Sequence, residues 1–285
     1  MSRFDPQGVN NAIEVPPLAA GDTYQLQASF DNRNTNPNQG ATSGFFARTA
    51  GSGSAGSMSL NTPQLSVTNR AQVSVETISN GDAGDITIEP FDGERTLAIN
   101  LDRSGTISAS TSSSGRGGNI QLMAPQSITV EGRGTTVEGR GTISAETSGT
   151  NAAGNLDIDT QELTIRGNAR LSTSTTSDNS SASGGNISVD ANQINVFGRN
   201  SGLFAETSGA TGAGNLTLQP YRRGETLTIN FRSEGAISAA TSGSGVGGTL
   251  IVSAPEAVTI RGMVRCLPRR LEQGMQESSS LTPTT

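Results

Sequence analysis

A Gly-Gly or Ala-Gly doublet opens the same short alternating strand seven times along this chain. The copies read AGSMSL at Ala55, AGDITI at Ala83, GGNIQL at Gly117, AGNLDI at Ala153, GGNISV at Gly184, AGNLTL at Ala213 and GGTLIV at Gly247. Their second glycines lie 28, 34, 36, 31, 29 and 34 residues apart. A period of this size, built only from strand and turn signals, describes one structural unit stacked on itself.

Each unit holds three strand-like pieces. The first follows the doublet, as in Ile86-Thr87-Ile88. The second is a Leu/Ile-x-Val/Ile triplet: Leu65–Val67, Leu97–Ile99, Ile128–Val130, Leu163–Ile165, Ile194–Val196, Leu227–Ile229 and Val258–Ile260. The third is of the ISAST type, as in Val73–Val75, Ile107–Ala109, Ile143–Ala145, Leu171–Thr173 and Ala236–Ala239. Alternation over three to five residues sets branched apolar side chains on one face and Ser, Thr or charge on the other. No stretch carries the 3.6-residue period of a helix. The expected fold is all-β: a right-handed parallel β-helix (β-solenoid) of about seven coils of three short strands. At about 4.8 Å per coil the rod is near 35 Å long.

Stacking makes equivalent positions neighbours, so each column must be chemically self-compatible. The fifth position of the third strand is Thr49, Thr77, Thr111, Thr147, Thr175, Thr207 and Thr241. We expect a threonine ladder whose hydroxyls bond along the axis. The preceding position runs Arg48, Glu76, Ser110, Glu146, Ser174, Glu206, Ala240, so a neutral rung separates each Glu from the next. Like charges one rung apart would repel by roughly 1 kcal/mol even with water-like screening. The residue after the doublet is Ser57, Asp85, Asn119, Asn155, Asn186, Asn215 or Thr249, the composition of an amide ladder.

A longer period overlies the first. Residues 89–118 align with 219–248 without a gap, and 15 of 30 positions are identical. Four coils were duplicated as a block, which suggests that length is the variable quantity. The aligned insertions, Pro90–Arg95 and Pro220–Glu225, are expected on one face about 19 Å apart. Each presents an aromatic, Phe91 or Tyr221, beside charges. We read them as loops tolerated between strands rather than as a repeated contact site.

Composition removes much chemistry. The 285 residues include no His and no Lys, and all 19 basic residues are Arg. His-based acid–base catalysis, His-ligated metals, Schiff-base lysines and a Walker-type lysine are therefore excluded. A net charge of −6 argues against nucleic acid and anionic membrane as partners. The single cysteine, Cys266, precludes a disulfide framework within the chain. No apolar run approaches a membrane span, and the first residues lack the basic head and apolar core of a signal peptide.

By these signals residues 1–44 read as a degenerate first coil or loop region. Residues 45–262 form the solenoid array. Residues 263–285, with a changed composition, read as a divergent and disordered tail.

The repeats, of the form GGNI-x-I followed by LTV-x-G, ISAST and SG-x-G-x-GGN, resemble those of filamentous haemagglutinin-type exoproteins of the two-partner secretion system, the cyanobacterial members above all. The resemblance covers about residues 45–262. It implies a parallel β-helix, export through an outer-membrane two-partner transporter, and adhesion at the cell surface. The amino-terminal secretion domain of that family is not found. Asn36-Pro37-Asn38 only partly echoes its motif, so the chain resembles an internal or carboxy-terminal piece of such a protein.

Three constellations could carry chemistry. Asp157 and Asp159 in LDID point the same way from one strand, about 7 Å apart, like the carboxyl pair of an inverting glycosidase, and Arg166 is expected on the next strand. Asp82 and Asp85, beside Gly81 and Gly84, could touch Ca²⁺, although the G-G-x-G-x-D spacing is missing. Leu171–Thr176 (LSTSTT) approaches a Thr-x-Thr array of the ice-binding kind. We read all three as solvated or structural positions, and expect no catalytic residue, metal or cofactor. The expected function is a structural and adhesive segment of a secreted surface protein, binding carbohydrate or protein. The alternatives are a β-helix polysaccharide lyase or hydrolase, and a non-functional gene fragment.

Overall fold

In a computed structural model of the chain, the described residues run from 43 to 261, apart from 50–52, 79, 92–94, 113, 134–139, 178–181 and 255–257. The backbones of Ala28–Asp31 and Ser280–Leu281 are also described. Most of the 1–44 region and of the 263–285 tail therefore lies outside the described residues.

Among the described residues the protein is a parallel β-solenoid with no α-helix. Third strands stack as one seven-stranded sheet, from Gly44–Phe46 through Gln72–Ser74, Thr106–Ser108, Thr142–Ser144, Arg170–Ser172 and Gly202–Phe204 to Ala236–Ser238. First and second strands share a fourteen-stranded sheet. They share it because two coils have no insertion between these strands. Leu156–Arg166 and Ile187–Phe197 each run through both columns as eleven residues. In the former, Leu156, Ile158 and Thr160 point inward, Gln161 and Glu162 both face solvent, and Leu163 and Ile165 point inward again. Two consecutive outward residues mark the corner.

The core is a column of Leu, Ile and Val from all three strands, each almost fully buried, with Ala at the tight places. No coil could bury these side chains alone; each covers the next. Between second and third strands the chain turns through left-handed residues at Asn69–Arg70, Arg103–Ser104, Gly167–Asn168 and Ser233–Glu234. The short polar Asn and Ser at these turns tolerate that conformation better than branched residues would.

The glycine column explains the doublet. A Cβ on Gly84, Gly118, Gly154, Gly185, Gly214 or Gly248 would lie 1.8–2.2 Å from the carbonyl oxygen of the preceding column glycine. The amides of Gly118, Gly154, Gly185, Gly214 and Gly248 donate across their own coil to the carbonyls of Ala109, Ala145, Thr173, Ala205 and Ala239. Any side chain here would push adjacent coils apart.

Beside it the expected amide ladder is complete. Asp85 N–H donates to Ser57 Oγ at 3.2 Å, and Asn119 N–H to Asp85 Oδ1 at 2.8 Å. Asn155, Asn186, Asn215 and Thr249 amides then donate to the side-chain oxygen one rung back, at 3.0, 2.9, 2.9 and 2.8 Å. The threonine column is also in register, each Thr bridging the next from Thr49 to Thr241. Its hydroxyls divide between two uses: that of Thr111 donates along the axis to the Thr77 carbonyl at 3.1 Å, as expected. Those of Thr147, Thr175, Thr207 and Thr241 accept the amide two residues on, at 3.0–3.2 Å, closing the turn inside their own coil.

One part of the expected register is corrected. Ile99, not Leu97, lies opposite Leu65, with Leu101 opposite Val67. Likewise Ile229, not Leu227, lies opposite Ile194, with Phe231 opposite Val196. Both shifts follow the insertions after residues 89 and 219. A two-residue slip keeps every side chain on its face, so hydrophobic alternation alone does not register it.

Candidate binding face

The outer side of the seven-stranded sheet carries three columns of side chains. The central one is Phe46, Ser74, Ser108, Ser144, Ser172, Phe204 and Ser238; of these Ser74, Ser108, Ser144, Ser172 and Phe204 are buried beneath the flanking columns, and Phe46 is exposed. On one side stand Gln72, Thr106, Thr142 and Arg170; on the other, Arg48, Glu76, Ser110, Glu146, Ser174 and Glu206. Arg48 caps this second column, pairing with Glu76 at 3.0 Å and lying over the Phe46 ring at 4.6 Å. Arg170 does the same higher up, 3.7 Å from the Phe204 centroid and 3.7 Å from Glu206. Burial works against the Arg170 charge, and Glu206 and Glu146 counter it.

The neutral rungs between the glutamates are also structural. Ser110 Oγ accepts the Glu146 amide at 3.2 Å, and Ser174 Oγ the Glu206 amide at 3.1 Å. Past this column the strand turns at the buried threonines, leaving an open groove of about 300 Å³ along the axis. Glu76, Ser110 and Glu146 form one wall; Ile78, Ser148 and Thr176 face them. The Arg48–Glu column was legible in sequence, but the groove was not, because it is made by the corner rather than by any residue type.

The other candidates behave as follows. Asp157 and Asp159 share the outer face of one strand, with Asp157 exposed and Asp159 partly covered. Arg166 lies seven residues along that strand, about 23 Å away in contour, where it pairs with Glu131 at 2.6 Å. Arg166 therefore ends the same strand as the carboxyl pair instead of standing on the next one. Sequence reasoning missed Asp190, which sits directly opposite Asp159 on the next coil. Aligning LDID with ISVD, one doublet on, would have found it.

Gln219 donates to Asp190 Oδ2 at 3.0 Å, while Oδ1 is buried without a partner. Burial, then Asp190 and Asp157, raise the pKa of Asp159 from its ordinary value. Burial and Asp157 raise that of Asp190, against the pull of Gln219. A raised folded value means that this pair's contribution to stability is complete below the unfolded value, near pH 4, and is lost as pH rises through the folded values. Asp190→Asn is therefore expected to raise the melting temperature at pH 7 by about 3 °C, the scale of one relieved like-charge contact. The gain should vanish toward pH 4. Melting curves across this range check it, and a gain that grows on acidification would contradict the assignment.

Asp82 and Asp85 are ladder acceptors. Asp82 Oδ1 takes the Arg116 amide at 2.7 Å, and Asp85 Oδ1 takes both the amide and the side-chain N–H of Asn119. No cluster of metal-ligating side chains occurs among the described residues. Within Leu171–Thr176, all but Thr176 are buried, so this segment presents no flat threonine surface. The insertions 90–95 and 220–225 follow first strands four rungs apart, as expected, although 92–94 lie outside the described residues. Phe91 is partly exposed, and Arg222 lies 5.4 Å from the Tyr221 ring. Comparison with family models, with curated proteins and with solved structures returns no match to this chain.

Proposed function

We propose that the chain is a structural and adhesive segment of a secreted bacterial surface protein, a haemagglutinin-like adhesin with no catalysis of its own. The full-length protein would be exported by an outer-membrane two-partner transporter. The observation that supports this reading is the outer wall of the seven-stranded sheet. Its accessible part is the column of exposed Arg48 and partly exposed Glu76, Ser110, Glu146 and Glu206, held by hydrogen bonds and ion pairs within and between rungs. Such a surface suits repeated weak contacts along an extended carbohydrate or protein on another cell.

A β-helix polysaccharide lyase or hydrolase is the second reading. It draws on Asp159 and Asp190, whose raised pKa values suit a general acid. One experiment separates the two. The purified chain is presented to a panel of polysaccharides and to bacterial and host cell surfaces, with retention, reducing sugar and unsaturated product all measured. Retention without product is expected. Product formation that Asp159→Asn abolishes would replace the adhesive reading with the enzymatic one.

A further inference from the structure

We propose that copies of this chain associate side by side with parallel axes, an arginine ridge on one rod lying against the carboxylate-bearing first-strand face of the next. The inference goes beyond the adhesive reading and does not depend on it.

The charges of the rod are sorted by place. On the seven-stranded sheet they are mixed and satisfy one another, Arg48 with Glu76 and Arg170 with Glu206. At the turn between second and third strands they do not balance. Six second strands, from Gln64–Thr68 to Leu227–Arg232, stack rung on rung. Each rung carries an arginine at the strand end or in the turn that follows. Arg103, Arg166 and Arg199 pair with Asp102, Glu131 and Glu234, which are all the carboxylates of this turn among the described residues. Arg70, Arg133, Arg140 and Arg232 remain, with no ion pair among the described residues. Arg70, Arg133 and Arg232 are exposed, and Arg232 lies 5.4 Å from the Phe197 ring. Arg140 reaches Asn168 Oδ1 at 3.4 Å, and its Nε has no partner. A surplus of positive charge thus runs over five rung spacings, about 24 Å.

The outward side of the first strands holds the opposite sign. One column contains Glu89, Asp159 and Asp190, and the neighbouring column adds Asp157 on the rung of Asp159. Neither column contains an arginine, and none of these carboxylates is ion-paired among the described residues. Burial, and after it the neighbouring Asp190 and Asp157, raises the pKa of Asp159, as crowded carboxylates without a counter-charge do.

A second copy supplies the complement of both tracks at once. A linear polyanion would neutralise the ridge and leave the carboxylate face bare. Both tracks follow the axis at about 4.8 Å per rung, so parallel rods match charge to charge along the whole contact, whereas crossed rods meet at one rung. Ile251, 42% exposed at the end of the Asp157 column, offers an apolar seat to the aliphatic stem of a neighbour's arginine. Ridge and face are different surfaces, so the contact is heterologous and a pair still presents one of each. Rods then add laterally into a bundle.

Sedimentation velocity of the full chain at low and high salt reads the association. Species larger than the monomer are expected to grow with concentration at low salt, and high salt should raise the midpoint concentration about tenfold, the scale of a few exposed ion pairs screened out. Two charge-reversed variants identify the surfaces. One carries Arg70→Glu, Arg133→Glu and Arg232→Glu; the other carries Glu89→Arg and Asp157→Arg. Each alone should stay monomeric, whereas their equimolar mixture should associate, because each keeps the surface that the other has lost. Melting curves verify folding, and the single variants Arg133→Glu and Asp157→Arg carry the same mixing test if a multiple variant does not fold. A wild-type chain that stays monomeric at low salt, association that salt or ridge reversal leaves unchanged, or a mixture that stays monomeric would overturn the proposal. A soluble polyuronate that binds the ridge of a wild-type chain that does not self-associate would do so too, and would give the ridge to an acidic polysaccharide.

Discussion

Gly154→Ala is expected to lower the melting temperature by roughly 10 °C, while Gly56→Ala leaves it unchanged or slightly raised. Both residues occupy the same column and the same place in the repeat. At Gly154 a Cβ would lie 1.9 Å from the Gly118 carbonyl oxygen and 2.5 Å from its carbon, and neither is a flexible side-chain end that can swing away. Relief requires adjacent coils to separate or slide, breaking ladder hydrogen bonds on both sides. A cost of several kcal/mol follows, in the range of overpacked interiors, and each kcal/mol moves the midpoint of a chain this size by about 2–4 °C. At Gly56 nothing lies within 4 Å of the added carbon. There alanine only restricts the unfolded chain, a gain of about 0.4–1 kcal/mol where its backbone angles are compatible. Thermal melts of the two single variants decide the matter. Similar losses at both sites would mean that backbone preference, not the approach of stacked coils, fixes the doublet.

The second large effect is electrostatic. Ser110→Glu combined with Ser174→Glu converts the column into five consecutive glutamates from Glu76 to Glu206. It adds four adjacent like-charge pairs of roughly 1 kcal/mol each at low ionic strength. It also removes the hydroxyls that accept the Glu146 and Glu206 amides. Ser174 is 7% exposed, so its replacement must be pushed outward as well as ionised. The double variant should melt on the order of 10 °C lower in low salt and recover a substantial part at high salt, where screening over about 3 Å weakens neighbouring rungs. A loss that salt leaves unchanged would assign the effect to the missing hydroxyls alone.

Sequence made the stack legible because a solenoid repeats its chemistry at fixed places. The threonine, asparagine and glutamate columns could be written down from spacing, and their partners follow one rung apart. Less was legible where alternation is degenerate. A two-residue slip at Leu97 or Leu227 leaves the buried face unchanged, so the register after each insertion needed the backbone. The use of the threonine hydroxyls was likewise hidden. A turn amide two residues on competes with the neighbouring rung, and wins at Thr147, Thr175, Thr207 and Thr241. The Asp159–Asp190 contact was missed because Asp157 and Asp159 were paired along the strand instead of across the coils. Arg166 was expected on a separate strand because the continuity of Leu156–Arg166 through both columns is not visible in the repeat pattern. The groove, finally, is a property of the corner after Thr77, Thr111 and Thr147, and no single residue announces it.

The direction of the ladder bonds has a mechanical meaning. They point along the axis, so tension applied between the ends loads one coil's row at a time instead of shearing all rows together. The terminal coil peels first, and each release exchanges about 4.8 Å of rod for the contour of some thirty residues, roughly 100 Å. Each released coil lengthens about twentyfold while the coils still stacked keep their shape, so the available travel grows with the number of rungs.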